Sequence, residues 1–365
     1  MSLCGDNKMK ILFYIGNLKK GGAERVVANL SNEFIKTHDV IIVTTTNEKY
    51  EYEIDKRIKT YSLNDGINNN IIKKNLNYLK KLSRIINEEK PDVAIGFLPE
   101  PSYRLLMIKN KIKCPIIISV RNDPKIEYNK FLSKLLMKTL YKKADGFVFQ
   151  TKEAQDFFSK IIQKKSTIIP NAVDKSFIKE RFFGERDKSI VTVGRLQPQK
   201  NHKLLIDSFN LIKDDFKEYK LLIYGKGTLE ESLKKYVKQL NLTEKVIFKG
   251  ESNNIKDEIY RSNLFVLSSD YEGMPNALIE AMALGVPVVS TDCPCGGPRF
   301  LIENEVNGLL VPVNDIESMV KAIKRVLLDK QIANRISTEA NKIGKTLNPE
   351  NISEKWLKFI KKTIN

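Results

Sequence analysis

Short apolar runs alternate with amphipathic, helix-like stretches along almost the whole of the sequence. In the first repeat, an apolar run at 10–16 precedes two glycines, a stretch at 23–36 with helical apolar spacing, and a second apolar run at 39–45. A strand, a crossover helix and a second strand form a unit whose strands pair in parallel. The chain is therefore predicted to be an α/β protein built on parallel sheets.

A polar stretch at 171–188 interrupts this alternation and is interpreted as an interdomain linker. Since 365 residues are also too many for one ordinary core, we expect two α/β domains, at 1–180 and 181–350, facing each other across a ligand-binding cleft. Strands are predicted at 10–16, 39–45, 58–63, 92–98, 115–121, 146–150, 167–170, 189–196, 220–224, 246–250, 263–268, 286–291 and 308–311. Helices are predicted at 23–36, 70–89, 101–110, 127–143, 151–159, 201–217, 228–241, 254–261, 276–284, 315–328, 331–346 and 352–363.

Composition narrows the class of protein. The formal net charge is +18 and is concentrated in the first half. This positive charge favours binding to nucleic acid, an anionic membrane or a phosphorylated substrate. The alternative is that the lysines only cover an ordinary solvent-exposed surface. No nucleic-acid-reading motif accompanies the charge, so no nucleic-acid partner is expected. The amphipathic, basic stretches at 71–86 and 131–143 fit either an anionic lipid surface or core-covering helices with a solvated lysine face.

The sequence also argues against export and against a zinc site. No apolar run reaches the ~20 residues of a membrane span, and the N-terminus lacks the apolar core of a signal peptide. The four cysteines, which include Cys4, have no disulfide or zinc spacing, and the chain has only two histidines. A cytoplasmic protein is therefore expected.

Residues 268–290 predict a strand end, a loop with glycine and proline, a short helix and another strand. Glu272 falls in the loop and Glu280 on the helix, among apolar neighbours that leave its carboxylate in need of a partner. Backbone N–H groups near the helix start at Asn276 carry partial positive charge and bind phosphate or hydroxyl oxygens. The segment suits a polyhydroxylated ligand with phosphates. The alternative is a loop that binds nothing, with Glu272 simply solvated.

Two more loops at predicted strand ends favour the same ligand. Arg195 and Lys200 follow the strand at 189–196, and two cations near a helix N-terminus form a clamp for a diphosphate. The glycine turn Gly225-Lys226-Gly227 follows the strand at 220–224. In the first half, Gly21-Gly22 either lets backbone approach a ligand closely or forms a tight turn without one. No third glycine completes a dinucleotide fingerprint there, so NAD is discounted.

These motifs resemble those of the retaining nucleotide-sugar glycosyltransferases of family 4, which have the GT-B fold of two Rossmann-like domains. The resemblance extends from Met9 onward and includes bacterial capsule, O-antigen and glycan-assembly transferases. It implies that the last helix, at 351–365, crosses back to the N-terminal domain. The matching pieces are Gly21-Gly22-Ala23-Glu24-Arg25, Gly194-Arg195-Leu196 with Lys200-Asn201, Gly225-Lys226-Gly227, Glu272-Gly273-Met274-Pro275-Asn276-Ala277-Leu278-Ile279-Glu280, and Asn307-Gly308-Leu309-Leu310-Val311.

The resemblance implies a role for each matching residue. Arg195 and Lys200 would hold the donor diphosphate, Glu272 would lie by the transferred sugar, and Glu280 would bond the ribose hydroxyls. The remaining donor-binding residues fall into four groups. The sugar and phosphate would be contacted by Gly273, Met274, Pro275, Asn276 and Ala277, with Asn201, Gly225 and Gly227 beside them. The base would be faced by Asn254 and Ile255, and the diphosphate by Gly21 and Gly22.

One stretch departs from the family pattern. Many relatives carry a histidine near the sugar, after a late strand of the first domain, where this chain has Arg121-Asn122-Asp123 followed by a proline. Either Arg121, Asn122 or Asp123 orients the sugar or the acceptor instead, or the segment only ends a strand.

We therefore predict a retaining transferase that moves a hexose or N-acetylhexosamine from a UDP-sugar to a polyprenyl-diphosphate-linked saccharide in surface polysaccharide or glycan biosynthesis. Its basic N-terminal domain would rest on the anionic inner face of the membrane. No metal or other cofactor is expected, because the sequence has no Asp-x-Asp pair and the Lys–Arg clamp takes the place of a divalent cation. The alternatives are a soluble sugar acceptor, or a non-catalytic sugar-nucleotide-binding partner of a transferase.

Overall fold

The computed structural model describes residues 8–19, 21–64, 70–252 and 254–365. Cys4 and most of the N-terminal stretch in which no export signal is predicted lie outside those ranges. The chain forms two compact units: the first runs to Ala172 and also includes Pro349–Asn365, and the second is Val173–Asn348. The boundary between the domains was predicted at residue 180, within the polar stretch at 171–188. The second unit begins earlier, because the N–H of Val173 already bonds the carbonyl of Leu347 within that unit (2.8 Å).

The first unit is built on a seven-stranded parallel sheet in the order β3-β2-β1-β4-β5-β6-β7. The central strands are buried on both faces, as expected when helices cover a parallel sheet. The strands are β1 (Lys10–Ile15), β2 (Asp39–Thr44), β3 (Lys59–Ser62), β4 (Val93–Phe97), β5 (Ile116–Ser119), β6 (Gly146–Phe149) and β7 (Ser166–Ile168). The helices are α1 (Gly22–Phe34), α2 (Ile71–Glu89), α3 (Pro99–Met107), α4 (Pro124–Glu127), α5 (Phe131–Leu140), α6 (Lys152–Asp156) and α7 (Lys160–Lys164).

The second unit is built on a six-stranded parallel sheet in the order β10-β9-β8-β11-β12-β13. Its strands are β8 (Asp187–Val193), β9 (Lys220–Tyr224), β10 (Val246–Gly250), β11 (Ser262–Leu267), β12 (Val288–Thr291) and β13 (Leu309–Val311). Its helices are α8 (His202–Ile212), α9 (Glu230–Gln239), α10 (Ile255–Arg261), α11 (Asn276–Ala283), α12 (Gly297–Leu301), α13 (Ile316–Leu328), α14 (Lys330–Asn341) and α15 (Ile343–Thr346). Because β9, β8, β11 and β12 are successive neighbours, the loops after them emerge side by side at one edge of the sheet.

The last helix, α16 (Pro349–Ile364), belongs to the first unit. Its Trp356 is fully buried and stacks on Phe97 at the end of β4, with ring centroids 6.0 Å apart. Burying an aromatic side chain of this size is among the larger single contributions to a core. The C-terminal segment is therefore an integral part of the first unit's core.

All thirteen predicted strands are confirmed, but two predicted helices are each divided and two short helices were not predicted. The predicted helix at 331–346 is two helices, α14 and α15, which meet at Lys342. The predicted helix at 127–143 is two helices, α4 and α5, because Tyr128 turns inward and its hydroxyl bonds that of Tyr141 (2.7 Å). The short helices α7 and α12 were not predicted. No helix in the described ranges combines the length and the hydropathy needed to cross a membrane.

Candidate functional site

A buried ion pair joins the loops that follow β8 and β11. Lys200 Nζ donates to Oε1 of Glu272, and the two side chains are only 16% and 8% exposed. The hydroxyl of Ser269 donates to the same carboxylate oxygen (2.7 Å). A charge removed from water to this degree is costly unless it is paired and hydrogen-bonded, as both charges are here. The pair brings one predicted cation and one predicted carboxylate into direct contact.

Backbone and amide contacts hold the two loops together on either side of this pair. Gln199 accepts from the N–H of Asp270 (2.9 Å), and its side-chain amide donates to the carbonyl of Tyr271 (2.9 Å). Asn201 adopts the left-handed conformation (φ 41°), caps α8 by accepting from Leu204 N (3.2 Å), and donates to Asp270 Oδ1 (2.7 Å). Asparagine tolerates this conformation better than most residues. Asn201 therefore fixes the direction in which the preceding lysine leaves the loop.

The glycine turn after β9 packs directly on the loop after β8. Gly225 has φ +126°, and a Cβ there would lie 2.1 Å from the carbonyl oxygen of Gly194. A Cβ on Gly227 would lie 2.3 Å from the carbonyl oxygen of Leu196. Only glycine permits these approaches. The stem of Lys200 runs along Gly194, so all three predicted loops converge around one lysine.

The N-terminus of α11 lies in the loop that carries Glu272. Its N-cap is Pro275, whose side chain has no atom that accepts a hydrogen bond, so no side chain caps the first turn from that position. The amides of a first turn carry partial positive charge. Glu280 is buried on the same helix, and Met274 is buried in the loop. Along the chain, the helix N-cap thus lies three residues after Glu272, and the carboxylate of Glu280 lies eight residues after it.

Two groups near the pair were missed by sequence reasoning. His202 is buried, and burial together with the nearby charge of Lys200 lowers its pKa to about 4, so it is neutral at pH 7. Cys293 is fully buried at the end of β12, and burial together with the charge of Glu272 raises the pKa of its thiol. The only signal for Cys293 is that β12 is the neighbour of β11. Both groups surround the ion pair with uncharged polar atoms.

Other predicted donor-side residues lie farther from the pair or make no contact with it. The side chain of Arg195 is exposed, and within the described part of the chain it makes no ion pair. Asn254 and Ile255 lie at the start of α10, after the edge strand β10, which β9 separates from β8. The structure thus brings Lys200, Glu272 and the glycine turn together and leaves the side chain of Arg195 at the surface.

In the first unit, the predicted glycines begin α1. Gly21 is the N-cap in an extended conformation (φ −172°), and Gly22 is the first helical residue. The Tyr52 hydroxyl donates to the carbonyl of Gly21 (2.9 Å) and lies 3.1 Å from its N–H. The turn is therefore held by a side chain of the same unit.

The first unit's other predicted residues begin with Arg121, whose guanidinium is buried. Arg121 is 8% exposed, lies over the rings of Phe97 and Trp356, and donates to Ser119 Oγ (2.6 Å) and Asn171 Oδ1 (3.0 Å). No carboxylate pairs with it in the described ranges, and burial lowers its pKa. Its Nη2, like the indole N–H of Trp356, has no hydrogen-bond partner there.

The two residues after Arg121 form the start of α4. Asp123 is buried and caps this helix by accepting from Lys125 N (2.9 Å), which gives it a structural role, whereas Asn122 is half-buried. Among the residues that the structure describes, no group of three or more His, Cys, Asp or Glu side chains could hold a metal ion.

Comparison with known proteins agrees with this geometry. A model described as Glycosyltransferase Family 4 matches residues 20–177, and one described as Glycosyl transferases group 1 matches residues 173–343. A Campylobacter jejuni protein named N-acetylgalactosamine-N,N'-diacetylbacillosaminyl-diphospho-undecaprenol 4-alpha-N-acetylgalactosaminyltransferase is 32% identical over 96% of this chain and 99% of its own length. The chain belongs to glycosyltransferase family 4.

Two further matches extend this result. An Escherichia coli UDP-Gal:alpha-D-GlcNAc-diphosphoundecaprenol alpha-1,3-galactosyltransferase is 36% identical over 46% of each chain. The structure of Anabaena HepE with UDP and glucose superposes with a TM-score of 0.84 at 16% identity, covering 97% of this chain and all of that one. The predicted GT-B fold is confirmed, and so is the resemblance to glycan-assembly transferases. This family-4 chain is a glycosyltransferase of polysaccharide or glycan biosynthesis.

Proposed function

We propose that this family-4 enzyme transfers a hexose or N-acetylhexosamine from a UDP-sugar, with retention and without a metal, to a polyprenyl-diphosphate-linked saccharide. The observation that carries the proposal is the buried Lys200–Glu272 pair at the edge of a parallel sheet where three strand-end loops converge. A pre-placed cation beside a carboxylate suits a donor with an anionic leaving group and a sugar that becomes positive as the bond breaks.

The leaving group is a diphosphate, on which negative charge builds as the sugar–phosphate bond breaks. Fixed cations and amides that already point at this charge stabilise it without reorganising. Lys200 supplies the buried cation, and Arg195 supplies a mobile one that swings onto the diphosphate when the donor binds. Pro275, Asn276 and Ala277 open the helix whose first-turn amides face the phosphates. In this scheme the two cations do the work that a divalent metal does elsewhere.

The sugar side of the donor is assigned to carboxylates. Glu272, held by Lys200 and Ser269, lies beside the transferred sugar and favours positive charge at the anomeric carbon. Glu280 bonds the ribose hydroxyls, and Asn254 and Ile255 face the base. A donor phosphate oxygen takes the acceptor proton as the acceptor attacks from the leaving-group face, which retains the anomeric configuration. The alpha linkages in the relatives' names fit retention from an alpha-linked donor.

The acceptor assignment rests on the relatives. The names of the Campylobacter and E. coli proteins specify saccharides on diphospho-undecaprenol as acceptors. Such an acceptor is held in a membrane, and an enzyme with a net charge of +18 is attracted to an anionic membrane surface. We therefore place this enzyme at the inner face of the cell membrane, with Arg121 and Asn122 on the acceptor or sugar side.

The test is UDP release from a panel of UDP-sugars, with and without a polyprenyl-diphosphate saccharide. We expect acceptor-dependent release with one hexose or N-acetylhexosamine donor, lost in Lys200→Ala and Glu272→Ala. Wild-type activity that a chelator abolishes and a divalent metal restores would contradict the metal-free scheme. A nucleotide that binds without any turnover would favour a non-catalytic partner instead.

A further inference from the structure

We propose that the first unit inserts an apolar patch, formed by Ile71, Ile72 and Leu76 of α2 and by Phe131, Leu132 and Leu135 of α5, into an anionic lipid bilayer. This inference rests on the proposed membrane acceptor but goes beyond attraction by charge, since it assigns a hydrophobic anchor to named residues. All six side chains are exposed; Phe131 is 84% and Ile71 is 75% exposed. Large apolar side chains clustered at the surface mark an interaction site.

Both helices carry these residues away from the core. In α5 only Met137 and Leu140 are buried. In α2 the buried positions begin at Tyr78 and continue toward the C-terminal end, so its first two turns lie outside the core. Core-covering helices would place their apolar residues inward and their lysines outward. The exposed apolar residues of α2 and α5 do not follow that pattern.

Both helices that carry the patch contact α3. Arg104 donates from Nη2 to Oδ1 of Asn75 in α2 (3.0 Å), and the neighbouring Tyr103 donates from its hydroxyl to the carbonyl of Ser133 in α5 (3.0 Å). Asn75 lies between the apolar positions of α2, and Ser133 lies between those of α5. Two consecutive residues of one helix therefore bond to both helices, so the two halves of the patch are neighbours of the same helix in the first unit.

The positive charge around the patch favours an anionic bilayer as its binding partner. Residues 70–87 contain five Lys or Arg and no acidic residue, and residues 124–143 contain six Lys and one acidic residue, Glu127. One oxygen of Glu127 is buried, and burial together with Asp123 raises its pKa to about 8, so this carboxyl is protonated at neutral pH. The flanking charge is thus positive throughout, which suits anionic headgroups beside inserted apolar side chains.

The experiment is flotation with vesicles of phosphatidylcholine and phosphatidylglycerol at about 0.1 M and about 0.5 M salt, where screening lengths differ by roughly twofold. The patch variant is the triple substitution Phe131→Ser, Leu132→Ser and Leu135→Ser. Its matched control replaces equally exposed side chains of the second unit: Phe183→Ser, Leu211→Ser and Leu328→Ser. Far-UV circular dichroism and thermal melting confirm that both variants fold.

At high salt we expect the wild type and the control to stay on the vesicles, and the patch variant to partition about tenfold or more weakly. The only tryptophan, Trp356, is buried, so a Phe131→Trp variant adds an exposed reporter whose emission should shift to the blue on binding. Complete release of the wild type by salt, equal partitioning of the patch variant, or an unshifted reporter would overturn the proposal. So would a wild-type dimer that the patch variant abolishes, since a second copy would then cover the patch.

Failure of this proposal is separable from failure of the proposed function. The patch variant should bind UDP in calorimetry as the wild type does, because the patch and the Lys200–Glu272 pair belong to different units. Membrane insertion without UDP binding would contradict the proposed function but support the membrane-inserting patch. UDP binding without membrane insertion would support the proposed function but contradict the patch.

Discussion

Each unit holds a largely buried cation in a loop at the carboxyl edge of its sheet, and these two cations, Lys200 and Arg121, are stabilised in opposite ways. In the second unit, Lys200 is paired with Glu272, so neither charge is left alone. In the first unit, Arg121 has hydrogen bonds and two aromatic rings but no acid, and one of its nitrogens lacks a partner in the described residues. Under the proposed function, Lys200 exchanges Glu272 for the donor diphosphate when the donor binds, whereas Arg121 keeps its hydrogen bonds and ring contacts throughout.

The largest expected effect is on transfer by Lys200→Ala. If Lys200 stabilises the leaving diphosphate, its loss should lower kcat/KM about 10²–10³-fold, the range for removing one pre-placed electrostatic group. Steady-state UDP release measures the effect. Lys203→Ala is the matched control, since Lys203 lies three residues after Lys200, pairs with Asp207 at the surface, and should be dispensable for the rate. Equal losses in the two variants would contradict a specific role for Lys200.

A second, smaller effect concerns Glu272→Gln. The amide keeps the shape of the side chain but no longer neutralises Lys200, so UDP should bind about tenfold more tightly, or about 1.4 kcal/mol. Transfer should fall in the same variant, because the carboxylate beside the sugar is gone. Isothermal titration with UDP and a rate assay measure the two changes. Weaker UDP binding would show that Glu272 does not compete with the diphosphate for Lys200.

Stability provides a direct contrast between the two cations. Lys200→Met leaves the buried carboxylate of Glu272 without its cation and should lower the free energy of unfolding by about 2–4 kcal/mol. Arg121→Met leaves no charged group without a partner, so we expect the free energy of unfolding to change by no more than about 1 kcal/mol. Urea unfolding measures both. The double substitution Lys200→Met with Glu272→Leu should recover most of the loss; failure to recover would assign the cost to packing.

The last comparison is a pair of opposite pH dependences of stability in the two units. Burial lowers the pKa of His202 to about 4, so the unfolded state binds the proton preferentially and the second unit loses stability as pH falls from 6.5 toward 4. Burial raises the pKa of Glu127 to about 8, so the folded state keeps the proton and the first unit loses stability as pH rises from about 4.5 to 8. Hydrogen exchange by mass spectrometry, corrected for intrinsic rates, measures each unit separately.

Two substitutions check the origin of these slopes. His202→Asn should remove the loss of stability that the second unit shows as the pH falls below 6.5. Glu127→Gln should remove the loss of stability that the first unit shows as the pH rises from about 4.5 to 8. Slopes of the same sign in both units, or slopes that survive these substitutions, would assign the pH dependence to other groups.

The sequence predicted the sheets better than the contacts at their edges. Apolar runs bounded by glycine and proline identify strands directly, because parallel strands are buried on both faces. They do not show which side chains meet across loops. Lys200 and Glu272 were predicted to meet different parts of one ligand, and the spacing gave no sign that they pair with each other. The break between α4 and α5 was also hidden, since it depends on a contact of Tyr128 with Tyr141, 13 residues later.

The central claim is that the Lys200–Glu272 site takes a nucleoside diphosphate, and a crystal structure of the UDP complex tests it most directly. We expect a phosphate oxygen within about 2.7–3.2 Å of Lys200 Nζ and of a first-turn amide of α11, with Arg195 drawn onto the diphosphate. UDP bound away from β8 and β11, with Lys200 bonded to Glu272 alone, would contradict it.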